Sequence, residues 1–107
     1  MHYITARKLL CSIPYNWIDS LERGDVGLSS YKVKTGFGYE IHLIPLFNWI
    51  HIYKDGKQIG RLTDKAHFAY LRDFMRKIYL AIHQGAKCTD WIKECFIEDL
   101  NELKPYR

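Results

Sequence analysis

The dipeptide Asp55-Gly56 lies between two runs in which apolar and polar residues alternate, Trp49–Lys54 and Lys57–Leu62. A two-residue type I′ turn needs positive φ at both of its residues, and Asp-Gly is among the pairs that tolerate this best. The turn and the alternation therefore predict a β-hairpin, whose strand register is fixed by the turn. The predicted pairs are Tyr53 with Gln58, Ile52 with Ile59, and His51 with Gly60.

The neighbouring segments predict more strands and two helices. Residues 31–35 and 39–43 also alternate, and Gly36 and Gly38 between them indicate a turn. After the hairpin the apolar spacing becomes helical. We expect a long helix from Thr63 or Asp64 to about His83 and a last helix from Thr89 or Asp90 to about Leu103.

The N-terminal segment carries apolar residues at helical spacing, namely Leu9, Ile13, Trp17 and Leu21. We predict a helix that begins after Thr5, ends near Gly24 and is kinked at Pro14, because proline removes a backbone donor and clashes with the preceding turn. The order of elements predicts an α+β fold in one domain over residues 1–107. It comprises a kinked N-terminal helix, a three- to four-stranded antiparallel sheet built from hairpins, and two C-terminal helices.

Composition and motifs exclude several classes of protein. The 107 residues are 48% hydrophobic and 26% charged, the balance of an ordinary globular domain. No apolar run reaches the roughly 18 residues of a spanning helix, and no secretory signal is evident, so we expect a cytoplasmic protein without membrane contact. The three cysteines form no CxxC pair, and the histidines have no ligand spacing. We predict reduced thiols, no metal site and no cofactor.

One face of the predicted hairpin combines aromatic rings with nearby cations. Trp49, His51 and Tyr53 share this face, with Glu40 and His42 of the preceding strand beside them. Nucleic-acid bases stack on aromatic rings that lie on a flat sheet surface, and cationic side chains bind the phosphates. The candidate nucleic-acid-binding residues are Trp49, His51, Tyr53, Lys54, Lys57 and Arg61. The alternative is structural, because the same rings fit a core packed under the N-terminal helix.

Charge is separated along the chain, whose total is +4 with neutral histidines. Residues 28–88 hold ten Lys and Arg against four Asp and Glu, whereas residues 89–107 hold three against five. Four of those acids recur at i+4 spacing on the last helix and form the acidic stripe: Asp90, Glu94, Glu98 and Glu102. Like charges at this spacing repel. Either Arg72 and Arg76 of the long helix compensate the stripe, or all six residues contribute to a surface for a partner.

These observations predict a small, non-enzymatic binding protein. We expect it to inhibit or regulate a larger nucleic-acid-handling protein or nucleoprotein complex, as anti-CRISPR and anti-restriction proteins do. One alternative is direct binding of RNA or DNA by the aromatic face. Another is a small nuclease or hydrolase using His or Cys, because catalytic partners need only be close in space. A homodimer that joins a basic face to an acidic helix is compatible with the charge pattern.

Overall fold

A computed structural model describes residues 3–25, 29–63 and 68–103. This part of the chain forms three α-helices and five β-strands. In chain order they are α1 (Tyr3–Ser12), β1 (Ile18–Arg23), β2 (Tyr31–Thr35), β3 (Tyr39–Ile44), β4 (Trp49–Lys54), β5 (Lys57–Leu62), α2 (Phe68–His83) and α3 (Asp90–Glu102).

The five strands form one antiparallel sheet in the order β1-β2-β3-β4-β5, so each strand pairs with its neighbour in sequence. The prediction of an α+β fold is confirmed, but the sheet has five strands rather than three to four. Both C-terminal helices are present near the predicted positions. The predicted cap at Asp64 lies outside the described residues.

The additional strand, β1, replaces the second half of the predicted N-terminal helix. Helix α1 already begins at Tyr3, so Thr5 lies inside it, and a short 3-10 turn follows Pro14. Ile18 and Leu21 are three residues apart, yet both are buried, because the pairing of β1 with β2 shifts by one residue between Ile18 and Ser20. This bulge places them on one face at a spacing that also fits a helix, which explains the wrong prediction.

The core lies on one face of the sheet. Alternating strand residues such as Leu21, Val33 and Ile52 are buried there and belong to one cluster with residues of all three helices. Alternation places the remaining strand side chains on the opposite face. The helices thus cover one side of the sheet, and the other side is the open face described below.

The β4–β5 hairpin has the predicted turn and a different register. Asp55 and Gly56 have φ of 50° and 85°, as a type I′ turn requires. Tyr53 pairs with Gln58 as predicted. Beyond that pair a bulge at Ile59 shifts the strands, so that Ile52 faces Gly60 and His51 faces Arg61. The predicted pairs of Ile52 with Ile59 and of His51 with Gly60 are wrong, because Ile59 is an extra residue in β5 without a partner on β4.

Helix α3 packs on the core mainly through Phe96, near the middle of its inner face. The Phe96 ring meets the Tyr31 ring edge-on at 5.3 Å, and the Tyr31 hydroxyl donates a hydrogen bond to Asp99. Burial and this carboxylate raise the pKa of Tyr31 well above its usual value, so the hydroxyl keeps its proton. Among the described residues, no helix combines the length and apolar character that crossing a membrane requires.

Candidate nucleic-acid interface

The open face is formed by strand side chains that point away from the core. Its members come from all five strands: Ser20, Glu22, Lys32, Lys34, Glu40, His42, Ile44, Trp49, His51, Tyr53, Gln58 and Arg61. Ile44, which pairs with Trp49, is the buried residue of this set. Trp49 and Tyr53 belong neither to the core cluster nor to the hydrophobic residues packed against it. Within the described part of the chain, the interpretation that these rings pack under the N-terminal helix is therefore wrong.

A row of basic side chains crosses the middle of the open face. Strand register pairs Lys32 with His42, His42 with His51, and His51 with Arg61. We call these four residues the basic row. Directly opposed side chains lie about 4.5–5.5 Å apart at Cβ, and like charges at that distance destabilise a sheet. Repulsion among the four side chains is small when the imidazoles are neutral, and a bound anion removes what remains of it.

Aromatic rings lie on both sides of the basic row. On one side the Trp49 ring is 4.8 Å from that of Phe47, which is half exposed, and 6.0 Å from that of His51. On the other side the Tyr53 ring lies 4.3 Å from that of His42. The basic row thus has an aromatic ring in contact with it on each side.

Carboxylates also reach this face and balance part of its charge. Glu40 accepts a hydrogen bond from His42 Nε2 at 2.9 Å, and both side chains are partly buried. Lys34 lies 3.4 Å from Glu22 and Lys32 lies 3.6 Å from Asp25. Asp25 is almost fully exposed, and such an ion pair contributes little in water. Lys32 can therefore exchange this carboxylate for a phosphate at small cost.

His51 is biased toward its neutral form. Burial, and then the nearby His42 and Arg61, lower its pKa below the usual 6.5. In the folded chain, protonation of His51 would place a positive charge in a partly buried position beside His42 and Arg61, which is unfavourable. At neutral pH the row therefore holds a neutral ring between two side chains that carry or can carry positive charge.

Acidification is expected to destabilise the fold through His51. Between the lowered pKa and 6.5, the unfolded chain binds more protons at this residue, so the free energy of unfolding falls as pH falls. The His51→Gln variant lacks this contribution. Thermal melts at pH 7.5 and 5.5 should show wild type losing stability relative to the variant on acidification. A relative gain by wild type would contradict the burial and charge environment described for His51.

The structure separates the predicted nucleic-acid-binding residues into two groups. Trp49, His51, Tyr53 and Arg61 lie together on the open face. Lys54 lies instead at the hairpin end, where its ammonium is 4.3 Å from the centre of the Tyr39 ring and donates to the Phe37 carbonyl. Lys57 is exposed and pairs with Lys54 across the turn. Lys32, Lys34 and Phe47 were missed, because only the pairing of β2 with β3 and the β3–β4 connection brings them to this face.

The acidic stripe is solvent-exposed along its whole length on α3. The predicted compensation by α2 is absent among the described residues. Arg72 donates to the Leu103 carbonyl at 2.6 Å, where it meets the negative end of the α3 dipole, and Arg76 lies 3.7 Å from Asp73. The six residues proposed as one partner surface therefore do not act as mutual ion-pair partners.

No protein family model, no curated protein and no solved structure matches the chain. The chemistry of its exposed surfaces is therefore the basis for assigning a function. Among the described residues, the open face brings together cations, imidazoles and aromatic rings, all of which can contact a ligand.

Proposed function

We propose that the chain binds single-stranded nucleic acid on the open face of its sheet. The observation that supports this most directly is the basic row, Lys32, His42, His51 and Arg61, set between the Trp49 and Tyr53 rings. The row carries fixed positive charge at Lys32 and Arg61, which a bound phosphate backbone neutralises, and the neutral His51 ring between them adds no repulsion. Phosphates satisfy the ends of the row, while the bases stack on the flanking rings.

A single strand fits this surface better than a duplex. Bases in a duplex are stacked on one another, and their π-faces are not accessible to protein rings. In a single strand each base offers a π-face, and one base–aromatic contact contributes about 1–3 kcal/mol. In the described part of the chain the helices lie on the other side of the sheet, so none of them projects from the open face to enter a groove. The phosphate contacts come from Lys32 and Arg61, at the two ends of the row.

Removing a flanking ring is expected to weaken oligonucleotide binding. Trp49→Ala and Tyr53→Ala should each reduce affinity for a fluorescein-labelled oligothymidine by about 5- to 150-fold, corresponding to about 1–3 kcal/mol per stacked base. Fluorescence anisotropy at fixed ionic strength measures this effect. Trp91→Ala is the matched control, because Trp91 is 52% exposed but lies on α3, where Arg23 stacks on it.

The control variant should retain wild-type affinity. Equal losses for Trp91→Ala and Trp49→Ala would contradict the assignment of binding to the open face. So would unchanged affinity in both ring variants, since stacking is then absent. Circular dichroism of each variant establishes that the fold is retained before affinities are compared.

Regulation of a nucleic-acid-handling protein stays a second candidate. The observation that favours it is the exposed acidic stripe, whose last member, Glu102, also lines a cavity of about 370 Å³ with Asp99 and Asn48. Carboxylates on a helix face complement a basic protein surface. The two candidates involve different elements, so Glu94→Lys combined with Glu98→Lys should leave oligonucleotide binding intact while removing any such protein complex.

A further inference from the structure

We propose that the open face also cleaves RNA, with His42 and His51 as general acid and general base. This inference rests on the proposed function, since it requires a strand bound across the basic row. It departs from the prediction of a non-enzymatic protein and gives specific residues to the third alternative drawn from the sequence, a small nuclease using histidine.

The two imidazoles are placed where one phosphodiester can reach both. His42 and His51 are directly paired across β3 and β4, so their side chains leave the sheet side by side. Arg61 lies beside His51 on β5, and Lys32 lies beside His42 on β2. A phosphate bound over the pair therefore has a cation on each side. Such fixed positive charge stabilises the negative charge on the non-bridging phosphate oxygens in the transition state.

The reaction needs only the RNA and these two side chains. One imidazole removes the proton from a ribose 2′-hydroxyl, whose oxygen attacks the adjacent phosphorus and forms the P–O2′ bond. The P–O5′ bond breaks, and the second imidazole gives its proton to the leaving 5′-oxygen. The products are a 2′,3′-cyclic phosphate and a 5′-hydroxyl. The two histidines finish with exchanged protonation states, which proton exchange with water restores.

The environments of the two histidines differ in the way this reaction requires. His51 is half-buried beside Arg61, and its lowered pKa keeps it neutral at pH 7, as a base must be. Glu40 accepts a hydrogen bond from His42 Nε2 at 2.9 Å and fixes the ring orientation, so the proton that His42 gives to the leaving oxygen is the one on Nδ1. The groups facing the pair are Lys32 from β2, Glu40 from β3, Tyr53 from β4 and Arg61 from β5. We assign His51 as the base and His42 as the acid.

The test uses a DNA oligonucleotide that contains one ribonucleotide, labelled at its 5′ end, with protein in saturating excess. Single-turnover conditions make the rate independent of moderate changes in affinity. Wild type should produce a fragment that ends in a 2′,3′-cyclic phosphate, with a bell-shaped dependence of the rate on pH. His42→Gln and His51→Gln should each slow cleavage by about 10²- to 10⁴-fold, and each should lose one limb of the pH profile.

His83→Gln, purified in parallel, is the matched control. His83 is exposed at the end of α2 and contacts Tyr79, away from the open face, so cleavage should be unchanged. The same rate in wild type and in the His42→Gln and His51→Gln variants would overturn the proposal by revealing a contaminating nuclease.

An all-DNA analogue of the same oligonucleotide separates the catalytic proposal from the binding proposal. Binding of that analogue without cleavage of the ribonucleotide overturns only the catalytic inference, whereas absence of binding overturns both.

Discussion

Replacing Lys32 and Arg61 together by Glu is expected to abolish oligonucleotide binding, with a loss of at least about 100-fold in affinity, because charge-assisted hydrogen bonds contribute about 1.5–3 kcal/mol each. The two residues lie at opposite ends of the basic row.

The salt dependence of binding measures the same contacts. Each phosphate contact to a single strand adds about 0.7 to the steepness of log affinity against log salt. The milder pair Lys32→Gln and Arg61→Gln should therefore reduce the slope by about 1.4. Anisotropy titrations at several salt concentrations measure both quantities.

The matched control reverses the same amount of charge elsewhere. Lys8 and Arg76 are both exposed, on α1 and on α2, and neither belongs to the open face. Lys8→Glu with Arg76→Glu changes the net charge as much as the row variant does. A comparable loss of affinity in this control would mean that binding follows net charge rather than the arrangement of the row.

Replacing Ile52 by Ala is expected to lower the free energy of unfolding by about 2–5 kcal/mol, because it deletes a buried side chain and leaves a cavity. Ile52 is completely buried in the core cluster. The next residue, Tyr53, points to the open face, and Tyr53→Ala should cost about 1 kcal/mol or less. Chemical denaturation of both variants makes the comparison. Similar large losses at both positions would show that both faces of β4 are buried, which contradicts an open face.

Much of the fold could be predicted from short-range sequence signals. The Asp55-Gly56 turn has the backbone that its residues favour, and the alternation in β4 correctly separates Ile52 from Tyr53. These predictions succeed because turn type and side-chain direction depend on neighbours only a few residues away.

The bulges explain where prediction failed. At Ile59 an extra residue moves His51 from opposite Gly60 to opposite Arg61, and it thereby completes the basic row. At β1 a similar shift between Ile18 and Ser20 produces burial with helical spacing. A bulge has no fixed sequence signature, because packing of the whole sheet determines where the extra residue is accommodated.

The candidate site could be predicted only in part. Trp49, His51 and Tyr53 share a face by alternation alone. Two connections set the registers that align Lys32 with His42 and His42 with His51. Each contains a non-glycine residue with positive φ, Phe37 at 65° in the first and Asn48 at 54° in the second. Positive φ is uncommon for residues other than glycine, and for a bulky residue such as phenylalanine it is an outlier. The local sequence therefore did not indicate these turn geometries or the registers that they set.

The three tryptophans permit the most direct test of binding at the open face, since their indole N–H groups give separate signals in a ¹H–¹⁵N NMR spectrum. Trp49 lies beside the basic row, Trp17 contacts Phe37 at 4.6 Å, and Trp91 lies on α3 beneath Arg23. On titration with oligothymidine, we expect the Trp49 signal to shift while the other two stay in place. A shift of Trp91 with Trp49 unchanged, or no shift at all, would contradict binding at the open face.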